Sequence, residues 1–275
     1  DQASNLTLFA RDPKRVATMT GCDPDRVLSY SDFGPQLAFD GIVNFVGQST
    51  PESRWRSRND IREVNRKFDN LSLSYLESNP NTRYVYLSSG AALGTRYSEP
   101  AKTGSPYQIT NLDEYSMAKQ ESELRHRQAG HHNIIDLRIF SYFHRTQTQD
   151  SKFLLSSIVR AIRTGETLEV DRTNIWRDFL SAADFSQLLF ASLSTNLRNA
   201  AIDAFTTAPI SKFELLDACA DQFKLKFVIK PQISTGIPSK VKYFSEARTE
   251  SFDYKPTQSS LENVITEIGA ILKGE

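Results

Sequence analysis

Cysteine is scarce in this chain. Cys22 and Cys219 are the only two in 275 residues, and they lie far apart. Two such thiols do not make a disulfide scaffold; they read as structural thiols of a reducing compartment, so the cytoplasm is the expected location. Charge of one sign is also lacking. Thirty-three basic and 33 acidic side chains balance to a formal net charge of zero, which argues against a nucleic-acid binder led by a basic face. No run of about 18 apolar residues occurs, so neither a membrane span nor a membrane partner is expected. The four histidines, His126, His131, His132 and His144, form no metal-ligand spacing with the cysteines, and no metal site is expected. His131-His132 follows Gly130 and reads as a solvated turn. Repeats and low-complexity tracts are absent. The length suffices for a full core, as one large domain or a domain with a small lobe.

What the chain does have is a pair of segments with chemistry. Tyr84-Val-Tyr-Leu-Ser-Ser-Gly-Ala-Ala-Leu-Gly94 reads as a buried parallel strand that ends on hydroxyls and a glycine turn. Tyr115-Ser-Met-Ala-Lys119 reads as the first turns of a helix over 115–127. Four residues along a helix put Tyr115 and Lys119 on one face. An ammonium beside a phenol favours the phenolate, and a Ser, a Tyr and a Lys together can move a proton to or from a carbinol oxygen. With ten tyrosines in the chain, the Tyr-x-x-x-Lys spacing alone is a weak signal and fits an ordinary helix-surface pair better. The order of elements is more specific: strand, hydroxyl turn, polar loop 95–114, helix with Tyr and Lys, then a strand over 133–140.

Around this segment the pattern alternates strand and helix, which argues for a parallel sheet covered on both sides. Residues 6–10 read as a strand, 11–15 as a turn, Val27-Leu28 as a short strand, 42–46 as a buried strand and 60–77 as a helix. Beyond about residue 145 the pattern changes. An amphipathic helix over 152–164 stops at Gly165. Strands follow at 201–206 and 226–230. Ser211-Lys-Phe-Glu214 and Ser259-Ser-Leu-Glu262 have capping-box spacing and open two further helices.

Taken together, these motifs resemble the extended short-chain dehydrogenase/reductases, the NAD-dependent epimerase/dehydratase family, over nearly the whole chain. Phe39–Gly47 resembles the family's fourth strand, Val64-Asn65 the Val-Asn pair of the next helix, Leu137-Arg-Ile-Phe140 its Leu-Arg-x-Phe strand, and Arg177-Asp-Phe179 with Asp184 its Arg-Asp-Phe…Asp segment. The resemblance implies an α/β, Rossmann-like doubly wound parallel sheet with a smaller C-terminal substrate lobe: residues 1–145 bind a dinucleotide, and residues 146–275 are mainly the lobe, with some elements returning to the sheet. It implies an NAD(P)-dependent epimerase or reductase acting on a carbinol or keto carbon of a nucleotide-activated sugar. Tyr115 would be the general acid/base, Lys119 would lower its pKa and hold the nicotinamide ribose, and Ser89 would orient the substrate oxygen. Gly47, Asn65 and Phe140 would face the cofactor, and Gln48, Ser141 and Arg177 the substrate, with Arg177 on a phosphate. The ordinary alternative for Arg177 is a pair with Asp178 or Asp184. A homodimer follows by analogy.

Three departures qualify that reading. Members of the family begin with a strand, a Gly-x-x-Gly-x-x-Gly turn and a helix, and the turn admits the cofactor pyrophosphate. Nothing like it precedes Leu6. Either the chain is part of a longer protein, which is the leading expectation, or the sheet closes differently, or the protein is a non-catalytic binding or scaffold module. At the end of the first strand read here stand Arg11, Lys14 and Arg15 where NAD-binders carry an acid, so NADP(H) is expected over NAD(H). Finally, Gly90-Ala91 follows Ser89 where dehydratases carry Asp-Glu, which disfavours sugar 4,6-dehydration.

Overall fold

The computed structural model describes residues 6–47, 59–130, 132–147, 153–230, 240–249 and 252–275. The chain opens with strand β1 (Leu8–Ala10) and helix α1 (Pro13–Thr20). The turn expected over 11–15 is therefore shorter. The Asp12 carboxylate accepts from the Arg15 amide at 3.1 Å and Pro13 takes the first helical position, so the helix begins inside it. Gly21, at φ +67°, ends α1. Strand β2 (Val27–Ser29) pairs in parallel with β1.

The main sheet is built from β3 (Gly41–Asn44), β4 (Arg83–Ser89), β5 (Ile134–Ile139) and, from far along the chain, β10 (Ala200–Asp203). All pairings are parallel and the order is β10-β5-β4-β3. Helix α2 (Asn59–Ser78) links β3 to β4, and α3 (Glu114–Gln128) links β4 to β5. Side chains alternate across the strands. Val85, Ile135, Leu137 and Ile202 pack with Leu188 of helix α5 (Ala182–Ser194) on one face. Tyr84, Tyr86 and Ile134 pack with Tyr75 and Leu76 of α2 on the other. Helices on both faces of a parallel sheet make this a Rossmann-like α/β fold. Among the described residues β1 and β2 pair only with each other. The Phe9 ring meets Phe33 at 5.1 Å and Phe39 at 6.0 Å, which ties the pair to the segment leading into β3.

A second core lies in the C-terminal half. Helices α4 (Leu154–Thr164), α6 (Lys212–Phe223) and α7 (Ser260–Lys273) enclose Leu155, Ile158, Leu215, Leu216, Val264 and Ile268. Strand β7 (Thr167–Asp171) pairs with β12 (Lys226–Lys230) at its side. Both capping boxes form, at Ser211/Glu214 and Ser259/Glu262. Short strands join the two halves: β6 (Ser141–Tyr142) pairs with β9 (Phe179–Leu180), and β8 (Trp176–Arg177) lies between β11 (Ile210–Ser211) and β13 (Lys242–Tyr243). No described helix is long and apolar enough to cross a membrane. Both cysteines are free thiols, and burial pushes the Cys219 thiol up to about 12.

Candidate active site

Ser89 is the last residue of β4. Its hydroxyl accepts a hydrogen bond from the Ala91 amide at 3.2 Å and so caps the single turn Gly90–Leu93. The phenol of Tyr97 donates to the Gly90 carbonyl. This turn lies directly over the Phe140 ring, and Leu93, Tyr97, Phe140 and Tyr243 form one apolar cluster beside it. Ser89 itself is buried.

Asp113 starts α3 by accepting from the Ser116 amide at 2.7 Å. That cap sets Tyr115 in the first turn and Lys119 one turn later. The Lys119 ammonium is buried against β4. It donates to the Leu87 carbonyl at 2.7 Å and to the Tyr86 phenol at 3.2 Å, and lies 4.5 Å from the Tyr86 ring centroid and 5.9 Å from that of Tyr115. Burial lowers its pKa to about 8, against the pull of Asp69, Glu123 and Asp136. Burial raises the Tyr115 phenol, the Ser89 hydroxyl acts as a hydrogen-bonding group that lowers it, and Asp113 raises it.

Gly47 and Asn65 belong to the same cluster. A Cβ on Gly47 would stand 2.9 Å from Asn65 Oδ1 and 3.4 Å from Lys119 Nζ. Asn65 is buried; its amide donates to the Ile61 carbonyl at 2.7 Å and its carbonyl accepts from Tyr86 at 3.4 Å. Phe140 lies under Gly90, and Ser141 sits half-buried in β6. Arg11, Lys14 and Arg15 are exposed at the β1–α1 junction. Gln48 lies outside the described residues. Arg177 makes neither of the carboxylate pairs considered for it. Its guanidinium donates to the carbonyls of Trp176 (2.7 Å) and Lys240 (2.8 Å) and lies over the Tyr243 ring at 5.6 Å. Asp178 instead binds Thr206 and Ser260, and Asp184 binds Thr257.

The sequence pattern of the NAD dependent epimerase/dehydratase family matches residues 2–203. The chain belongs to that family. No curated protein matches the chain. Among solved structures, UDP-glucose 4-epimerase from the hyperthermophile Thermotoga maritima, solved with UDP-glucose, is similar at TM-score 0.77 with 13% identity, over 99% of this chain and 93% of that one. RMD from Pseudomonas aeruginosa, complexed with NADPH, is similar at TM-score 0.73 with 18% identity, over 98% and 100%. A dTDP-glucose 4,6-dehydratase from Bacillus anthracis, in complex with NAD, is similar at TM-score 0.70 with 14% identity, over 96% and 78%. At these identities the likeness is one of fold.

Several buried groups beside these residues and along α3 carry no signal in the sequence. Tyr243 OH lies 3.1 Å from Ser89 Oγ, and Lys240 lies over the Tyr243 ring at 4.9 Å. Behind Ser88, Glu123 is fully buried and binds Arg138 through both carboxylate oxygens at 3.0 Å, with Tyr107 donating at 2.7 Å. Farther along α3, His126 is buried between Asp136 (Nδ1, 2.5 Å) and Asp69 (Nε2, 2.7 Å). Burial pulls the imidazole down, but the two carboxylates outweigh it and hold it at about 9, as imidazolium. His132, read from sequence as solvated, is buried, with Nε2 3.2 Å from Glu77. The turn after Gly130 folds it inward under the end of α2; His131 lies outside the described residues.

Proposed function

We propose that this protein is an NAD(P)-dependent oxidoreductase or epimerase acting on a carbinol or keto carbon of a nucleotide-activated sugar. The observation that carries the reading is the convergence of Ser89, Tyr115 and Lys119 at the carboxyl end of β4, where ligands of open α/β sheets bind. A second observation supports the cofactor. Gly47 lies so close to Asn65 and Lys119 that a Cβ there would stand 2.9 Å from Asn65 Oδ1, so a side-chain-free stretch of backbone and two polar side chains meet at one place, groups that suit a nicotinamide ribose. When bound, the nicotinamide supplies reversible hydride transfer.

The chain's own residues do the rest. Tyr115 gives or takes the proton at the reacting oxygen, and Ser89 orients that oxygen by hydrogen bonding. Lys119, with a pKa brought near the working range by burial, holds the ribose hydroxyls and supplies positive charge. Arg177, with no carboxylate partner among the described residues, is available to a substrate phosphate, which suits a planar guanidinium. Ser141 and Gln48 complete the substrate side, and Phe140 walls the nicotinamide side. Arg11, Lys14 and Arg15 favour the 2′-phosphate of NADP(H). Gly90-Ala91 offers no acid or base after Ser89, so epimerisation or reduction is favoured over 4,6-dehydration. On this reading residues 1–145 bind the dinucleotide and 146–275 are mainly substrate lobe, apart from α5 and β10. A homodimer in the cytoplasm completes the proposal by analogy.

The test is an assay of the purified protein with UDP- and dTDP-hexoses and each nicotinamide cofactor, following cofactor absorbance and product epimers. A reductase consumes cofactor; an epimerase regenerates it. Tyr115→Phe is expected to keep the fold and lower turnover by about 10²–10⁴. Unchanged turnover in that variant removes Tyr115 from the mechanism.

A further inference from the structure

We propose that Tyr86 is a positioning residue of the reaction site: its phenol oxygen accepts one proton of the buried Lys119 ammonium, fixes that ammonium against β4, and leaves one N–H of Lys119 for a ligand. Its role rests on the reading of Lys119 as the group that holds a nicotinamide ribose. A lysine ammonium has three protons to give and no lone pair to receive with. One proton goes to the Leu87 carbonyl at 2.7 Å and one to the Tyr86 phenol at 3.2 Å. Among the described residues no further acceptor takes the third. Gly47 stands against the same ammonium, since a Cβ there would lie 3.4 Å from Nζ.

The donors themselves fix the direction of each bond. An ammonium cannot accept, so the Tyr86 oxygen is the acceptor and its own proton goes elsewhere. A buried phenol proton needs a partner, and Asn65 Oδ1 takes it at 3.4 Å, a long bond. Asn65 is turned that way because its amide donates to the Ile61 carbonyl at 2.7 Å, one turn earlier in α2. Tyr86 is clamped as well. It is fully buried, and its ring meets His126 edge-on at 5.2 Å and Tyr84 at 6.4 Å. Hydrogen bonds to Asp136 and Asp69 hold His126 in turn, so the ring has a fixed backing. Burial keeps the phenol protonated, well above its ordinary range; Ser122 lowers it as a hydrogen-bonding group, and Asp69, Asp136 and Tyr115 raise it.

No carboxylate does this work. Asp69 of α2, Glu123 of α3 and Asp136 of β5 act on the Lys119 charge, and Tyr115 lies one turn away on its own helix. Each carboxylate is engaged by other cations: Asp69 by Arg125 and His126, Asp136 by Arg127 and His126, Glu123 by Arg138. None of them is hydrogen-bonded to the ammonium among the described residues. Two neutral oxygens, of Tyr86 and Leu87, therefore hold Lys119. They set its place without cancelling its charge, which stays available to a ligand.

Carbon NMR of the whole protein carrying lysine labelled at the ε carbon follows each ammonium's titration with no substrate or cofactor present. Lys119→Met assigns the resonance. In the unsubstituted protein Lys119 is expected to titrate at about 8. Tyr86→Phe keeps the ring and removes the acceptor, so the Lys119 midpoint should fall by about one pH unit, the scale of a hydrogen bond to a charged group. Tyr84→Phe is the control. Tyr84 is the neighbour on the same face of β4, but its phenol binds Asp69 and Asn44; its loss should cost stability and leave the Lys119 midpoint in place. A midpoint unmoved or raised in Tyr86→Phe, or lowered as much in Tyr84→Phe, would overturn the proposal. A neutron crystal structure of the unsubstituted protein below pH 7 needs no variant to fold. It should show a Lys119 deuteron on the Tyr86 oxygen; a Tyr86 deuteron aimed at Lys119, or an ammonium out of contact with Tyr86, would overturn the proposal. Where the parent binds NADPH, Tyr86→Phe should weaken it by about three- to tenfold, and an unchanged affinity would count against Tyr86. A parent that binds neither cofactor would contradict the proposed function and leave the Lys119 titration standing.

Discussion

A Cβ on Gly90 would stand 2.4 Å from two carbons of the Phe140 ring. The glycine after the candidate catalytic serine is therefore a steric requirement of the strand beside it. Phe140 sits at the end of β5, packs on Tyr97 and Tyr243, and fills the space that a side chain at position 90 would need.

Gly90→Asp, which installs the first acid of the dehydratase pattern, should cost about 1–3 kcal/mol by overpacking. Combined with Phe140→Ala it should be less destabilised than the sum of the two single changes, because the smaller residue vacates the clash. Denaturant midpoints of the four proteins check this. Strict additivity would show that the two positions do not compete for one space.

His126 gives stability a pH dependence of known sign. Its folded pKa is raised to about 9 from 6.5, so its contribution is fully present below the unfolded pKa and is lost as pH rises through the folded one. Between those values stability should fall with a slope approaching about 1.4 kcal/mol per pH unit, and about 3 kcal/mol in all. Lys119 works the other way. Its folded pKa is lowered to about 8 from 10.5, so above pH 8 its contribution rises with pH. Unfolding free energies of the parent minus those of His126→Gln isolate the first effect. A difference that stays flat from pH 6.5 to pH 9 would contradict the buried imidazolium.

Arg177 should matter to the nucleotide end of the substrate and not to the nicotinamide cofactor. Arg177→Ala removes charge-assisted hydrogen bonds worth about 1.5–3 kcal/mol, so affinity for UDP should fall by about 10–100-fold. Affinity for the nicotinamide cofactor should stay the same. Calorimetric titration with UDP, in parent and variant, distinguishes this from equal losses for both ligands.

The local half of this account was legible in the residues. The caps at Ser211 and Ser259, the stop at Gly165 and the strand at β4 are written within a few neighbours, and each stands where that chemistry puts it. Helix α3 was harder. Apart from Ala118, its buried face is Ser116, Lys119, Gln120, Ser122, Glu123 and His126, polar at helical spacing, so hydrophobic patterning gives little hint of which side faces in. His126 and Glu123 are buried because carboxylates and guanidinium groups from α2 and β5 meet them there, and those partners are 10 to 57 residues away. Tyr243 was illegible for the same reason in a stronger form. It reaches Ser89 across 154 residues of sequence on a strand of two residues, and only the aromatic pair Tyr243-Phe244 marks the place.

The most direct test of the central claim is a fluorescence titration of the purified protein with NADPH and NADH, run beside Arg11→Ala and Lys119→Met. The account predicts saturable binding, NADPH tighter than NADH by at least about tenfold, since a charge-assisted contact to the 2′-phosphate is worth that much. Arg11→Ala should erode that preference, and Lys119→Met should weaken both ligands. A folded protein that binds neither cofactor would contradict the nicotinamide site at Gly47, Asn65 and Lys119. Affinities within a factor of about three, below the worth of one such contact, would contradict the role given to Arg11, Lys14 and Arg15.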